Sequence, residues 1–114
     1  MKMAEKVYNL KQLEELAGGN TEFVDSMVET FLEHTPGQLK EMLDAYKAGD
    51  FSTVGATAHK IKPNIELFGI LEIKHDIRVV EENGKAGTDS EAMKASITKV
   101  ESYLKEAFNQ LQQR

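Results

Sequence analysis

From Phe51 to Phe68 the apolar residues Phe51, Val54, Ala58, Ile61, Ile65 and Phe68 recur at steps of three and four. That period places them on one stripe of an α-helix, whereas a strand would alternate every second residue. The same period runs through the rest of the chain. Leu10, Leu13 and Leu16 follow Asn9 and Gln12, spaced as a capping box, and stop at Gly18-Gly19. Asn20 can cap a following helix carrying Phe23, Met27, Phe31 and Leu32. Leu39, Met42, Leu43 and Tyr46 resume the period after Pro36-Gly37, so periodicity alone allows two helices or one long kinked helix. Gly49 ends this region and Asp50 is a good N-cap for the Phe51 helix, with Gly69 marking its end or a bend. Ile70, Ile73, Ile77 and Val80 form a fourth segment, stopped at Asn83-Gly84. Thr88 and Glu91 read as a capping box for a last helix with Met93, Ile97, Val100, Leu104, Ala107 and Leu111 on its stripe. Strand-like alternation and internal repeats are both missing from the sequence. Short loops between amphipathic helices predict an all-α antiparallel four-helix bundle, with the short Leu10–Leu16 helix as an additional N-terminal lid.

Composition narrows the chemistry. The 114 residues suit one domain, 1–114, with a single core. With no cysteine, disulfides, thiolate metal sites and cysteine nucleophiles are excluded. The net charge is −5, and the lysines are scattered among carboxylates without forming a basic stripe, which argues against nucleic-acid binding. No apolar run approaches the ~20 residues that span a membrane, and nothing resembles a signal peptide. The expectation is a cytoplasmic protein without a membrane partner.

One residue stands out against this background. His59 lies about 130° from the centre of the Phe51–Phe68 stripe, on a solvent-facing edge where a core histidine would not sit. Gly55, Lys62 and Glu66 turn towards the same side, and Lys60 projects from a different face. A neutral imidazole in that position is a competent nucleophile near physiological pH. Lys62, three residues on, is a helix-surface neighbour able to offset negative charge on a group attached to the ring, and Lys60 would have to reach around. Glu66 is about 10 Å along the axis from His59, too far to touch it, and fits a docking surface. Pro63 is about 170° from the stripe, so it should face solvent, but it has no N–H for the carbonyl of His59. A kink or a lost hydrogen bond is predicted there.

The pattern His59-Lys60-Ile61-Lys62 with Gly69 ten residues after the histidine resembles the histidine-containing phosphotransfer (HPt) domain of two-component phosphorelays. The likeness extends upstream through Phe31–Leu39, Leu43 and Gly49-Asp50-Phe51, and downstream through Ile73, Ile77 and Val80-Glu81. It implies one long helix across Pro36. It further implies that Nε2 of His59 accepts the phosphoryl group from a receiver aspartate, and that Glu81 occupies the polar position that bonds the other ring nitrogen. The family usually has Gly, Ser or Ala where this chain has Pro63, a position at which partner loops approach. Gly55, Pro63, Glu66 and Gly69 are the candidate docking residues. The resemblance implies a monomer whose partners are response-regulator receiver domains or a hybrid histidine kinase. Mg²⁺ would come from the receiver, so no cofactor is expected in this chain. With no Gly-rich nucleotide loop, the chain should be a phosphocarrier and not an ATP-dependent enzyme.

Two rival readings follow from the same residues. A non-catalytic adaptor of this fold would bind a receiver without carrying phosphate, and Pro63 is the feature that favours it. A helical di-metal enzyme would use Glu72-Ile73-Lys74-His75 as a Glu-x-x-His pair, but it needs a second such pair, and Phe31 and Ala56 stand three before His34 and His59.

Overall fold

Helical periodicity governs the structure from end to end. The computed structural model describes residues 5–114, and the first four positions of the expected 1–114 domain lie outside the described residues. Five α-helices follow in order: α1 (Lys11–Ala17), α2 (Thr21–Lys47), α3 (Phe51–Leu67), α4 (Lys74–Ala86) and α5 (Glu91–Gln112). A 3-10 turn, Leu71–Ile73, leads into α4, and no strand occurs among the described residues. The 27 residues of α2 would extend about 40 Å at the α-helical rise. The molecule's long axis is 43 Å, so this helix sets its length.

α2 passes through Pro36 as one helix, which resolves the choice that periodicity left open. Its start is fixed by Asn20, whose side chain accepts from the Phe23 N–H. At its other end Gly49 turns with φ 73°, and the Asp50 carboxylate accepts from the Thr53 N–H and hydroxyl, starting α3. The expected stripe of α3 is inside: Val54, Ala58, Ile61, Ile65 and Phe68 are buried, and Phe51 is partly so. Phe31 of α2 stacks on Phe68 with ring centroids 4.2 Å apart and meets Phe108 of α5 at 5.5 Å. Those three rings join α2, the end of α3 and α5.

Three terminus expectations are corrected. Asn83-Gly84 does not stop the fourth helix; α4 runs on to Ala86 and ends at Gly87, φ 69°. The N-cap of α5 is Ser90, accepting from the Met93 N–H, and not Thr88. Asn9 does not cap α1 in a box with Gln12; its side chain accepts from the Lys11 N–H, while its own N–H donates to the Phe68 carbonyl. The N-terminal segment is thereby stitched to the end of α3. It also crosses α5, where Gln110 accepts from the Val7 N–H and donates to the Glu5 carbonyl, both at 2.9 Å.

Gly84 stays inside α4 because the helices need it there. A Cβ on Gly84 would lie 2.5 Å from the Gly55 nitrogen, and one on Gly55 would lie 2.8 Å from the Lys85 nitrogen. The backbones of α3 and α4 therefore touch at a glycine pair. One turn further along α3 from this crossing, and one turn back along α4, stand His59 and Glu81.

Candidate functional site

The antiparallel pairing of α3 and α4 brings His59, Lys62, Glu81 and Lys85 together. His59 keeps 64% of its side chain exposed, while the Glu81 side chain keeps 8%. The ring therefore rests by one edge on a buried carboxylate. His59 Nδ1–H donates to Glu81 Oε2 at 2.6 Å. Lys62 donates to Oε1 at 2.8 Å, and Lys85 donates to Oε2 at 2.8 Å. Both carboxylate oxygens are thus occupied by charge-assisted bonds.

The Lys62 ammonium, then that of Lys85, holds the Glu81 carboxyl down to about 2 from its ordinary 4.5. Burial pushes the other way, and the His59 hydrogen bond adds a smaller downward pull. A carboxylate ionised at any physiological pH can only accept, so the hydrogen of the neutral imidazole belongs on Nδ1. Nε2 is left with its lone pair on the opposite, outward edge of the ring. This arrangement suits attack on an electrophile delivered from solvent.

Placement of the other candidates differs residue by residue. Lys62, 29% exposed, is drawn down onto Glu81. Lys60 is exposed, and no hydrogen bond or ion pair holds it among the described residues. Pro63 is exposed as expected, and α3 continues through it to Leu67. One docking candidate is corrected. Gly55 is buried against the Gly84 and Lys85 backbone, so it serves the helix crossing and is closed to a partner. Gly69 has φ 61°, and a Cβ there would run into the Asn9 backbone, so the chain reversal needs glycine at this position, which also lines a surface groove with Glu66. Glu66 is half-buried and lines a groove with Asn9, Gln12 and Leu71 at the end of α3, apart from the histidine.

Lys85 is the member that the sequence reading missed. Its only local signal is the spacing of four after Glu81, a common surface pair in helices. The rival Glu72–His75 pair is split between the 3-10 turn and α4, and both side chains are exposed, whereas a bundle metal site projects inward. No group of three or more potential ligands is placed to hold a metal among the described residues. No helix among them is long and apolar enough to cross a membrane.

A family model described as the Hpt domain matches residues 26–114, from within α2 to the end of the chain. No curated protein gives a significant match. Nor does any solved structure.

Proposed function

Because the chain belongs to the Hpt domain family, whose members serve phosphotransfer in two-component signalling, we propose that it is a phosphorelay carrier with His59 as its phosphoacceptor. One observation carries this reading: the 2.6 Å bond from His59 Nδ1 to Glu81 commits one nitrogen to the protein and turns Nε2 outward. Helices α2 to α5 then form the antiparallel four-helix bundle, with α1 as its lid, in one domain over 1–114.

In the proposed step, the Nε2 lone pair forms a bond to the phosphorus of a receiver's aspartyl phosphate. The P–O bond to that aspartate breaks, and its electron pair leaves with the carboxylate. The proton stays on Nδ1, hydrogen-bonded to Glu81, whose negative charge offsets the positive charge the ring acquires. Lys62 orients Glu81, and Lys60 is the free ammonium nearest in sequence to balance phosphoryl oxygens. The reverse step passes the group to a second receiver. Receiver domains, free or within a hybrid kinase, are the partners. Magnesium chemistry belongs to the receiver, and no residue of this chain is assigned to hold the ion. The chain works as a monomeric cytoplasmic phosphocarrier without kinase activity of its own.

The test is transfer from a panel of phosphorylated receiver domains to the native chain and to His59→Gln. Acid-labile, alkali-stable label on the native chain alone is expected, with the variant folded as judged by circular dichroism. Binding of a receiver without label on either chain would replace the carrier with an adaptor. Equal labelling of both would move the site away from His59.

A further inference from the structure

A buried carboxylate against an imidazole raises a difficulty that Lys85 resolves. A carboxylate 2.6 Å from Nδ1 favours the imidazolium form, in which both ring nitrogens carry hydrogens. An imidazolium has no lone pair on Nε2 and cannot attack phosphorus. The ring must therefore be shielded from the full charge of Glu81 while still using it as an anchor.

The structure supplies two ammonium groups to one carboxylate, so that Glu81, Lys62 and Lys85 together carry one net positive charge before the ring is counted. Lys62 occupies Oε1, the oxygen that the ring does not use. Lys85 occupies Oε2, the same oxygen that accepts from His59. We infer that Lys85 is a positioning residue that keeps His59 neutral by sharing the Oε2 charge with it, so that Nε2 holds its lone pair at neutral pH. This inference rests on the proposed role of His59 and adds the control of its protonation.

The charges around the ring are few. On α3 they are Lys60, exposed, and Lys62, on Glu81. On α4 they are Glu81 and Lys85, with Arg78 exposed one turn back from Glu81. α2 presents Glu41 to α3 at Thr57, about 200° around the helix from His59, at 3.3 Å from the Thr57 hydroxyl. The 3-10 turn offers Glu72, exposed beyond the C-terminus of α3. Among the described residues, only Lys85 both shares the ring's acceptor oxygen and stands largely in solvent, with 61% of its side chain exposed. It can be exchanged without disturbing the core.

Two readings of Lys85 make different predictions. If its charge acts on the ring, its loss lets His59 protonate at higher pH. If it acts only on phosphoryl oxygens, its loss slows transfer at every pH and leaves the free ring unchanged. The experiment is an NMR titration of the His59 ring in the free full-length chain, comparing native, Lys85→Met and Lys85→Arg proteins. His34 and His75, both exposed, serve as internal references. The expected result is an upward shift of the His59 midpoint by about half a unit or more in Lys85→Met, from the loss of a nearby screened charge. Lys85→Arg should retain the native midpoint. The acid limb of the transfer rate should move by the same amount, with the alkaline plateau kept. An unchanged His59 midpoint in Lys85→Met would overturn the inference, and so would a uniform fall in rate at all pH values. Absence of transfer in the native chain would remove the carrier role, and the free-chain titration would still decide the charge balance.

Discussion

Glu81 is the residue on which the site's electrostatics converge, and it couples stability to pH. Its folded-state value of about 2 lies below the ordinary 4.5. A carboxylate held low in this way contributes stability that is fully present above about pH 4.5 and is lost as pH falls through about 2. Glu81→Gln cannot carry that pH-dependent part. The variant should melt lower than the native chain at pH 7, and the gap should narrow steadily between pH 4.5 and 2. Thermal melts of both proteins across that range make the comparison, and a constant gap would show that the paired charge adds nothing. His59 was legible in the sequence because its signal is local: a polar residue off an apolar stripe announces its face through helix geometry alone. Glu81 was placed only by likeness to a family. Lys85 was not found at all, because a lysine four residues after a glutamate gains meaning only when a third helix position, His59, is brought against them.

At the scale of elements, the site depends on how closely α3 and α4 approach. Gly84 has ordinary helical geometry, so no backbone angle demands glycine there; the demand comes from Gly55 and Phe51 on the facing helix. An added methyl would meet the Gly55 nitrogen at 2.5 Å and the Phe51 carbonyl oxygen at 2.9 Å, both backbone atoms that cannot rotate away. Gly84→Ala should therefore destabilise the fold by about 3 kcal/mol, the upper part of the range for overpacking. That corresponds to a fall in Tm of about 10 °C for a domain of this size. The same displacement should loosen the His59–Glu81 bond, visible as a changed His59 ring signal by NMR. A melt within a degree or two of native would mean that the helices can separate freely. Asn83-Gly84 was read from sequence as a stop because glycine in a helix is usually a terminator. A glycine that admits a neighbouring backbone carries the same local signature, so only the packed structure separates the two. The caps at Asn20 and Asp50 were legible because each side chain bonds within its own first turn. The cap of α5 fell to Ser90 over Thr88, a choice between two good formers two residues apart.

Across the whole molecule, the segment before α1 binds the far ends of the fold to one another. Tyr8, Leu10 and Leu13 are buried in the same core as Phe31 and Phe108. Asn9 bonds the end of α3, and Gln110 of α5 holds the backbone at Glu5 and Val7. Leu10 and Leu13 were legible as an apolar stripe, but the stitch was not, since backbone-to-side-chain bonds over a separation of about 100 residues leave no periodic trace. The stitch meets α3 at Phe68 and Gly69, about 15 Å along the helix from His59. The site and the stitch should thus be separable in function though joined in stability. Gln110→Ala removes both hydrogen bonds to the segment, worth about 1 kcal/mol each, together with a third to Glu106 on its own helix. Because the segment's apolar side chains belong to the common core, the loss should lower a single cooperative melt by several degrees and should not create a second transition. The amide of Val7, deprived of its acceptor, should exchange faster with solvent, while the His59 ring titrates as in the native chain. Hydrogen exchange together with the NMR titration reads both ends at once. A two-step melt would make residues 5–17 an independent appendage, and a shifted His59 midpoint would show that the ends of α3 communicate through its length.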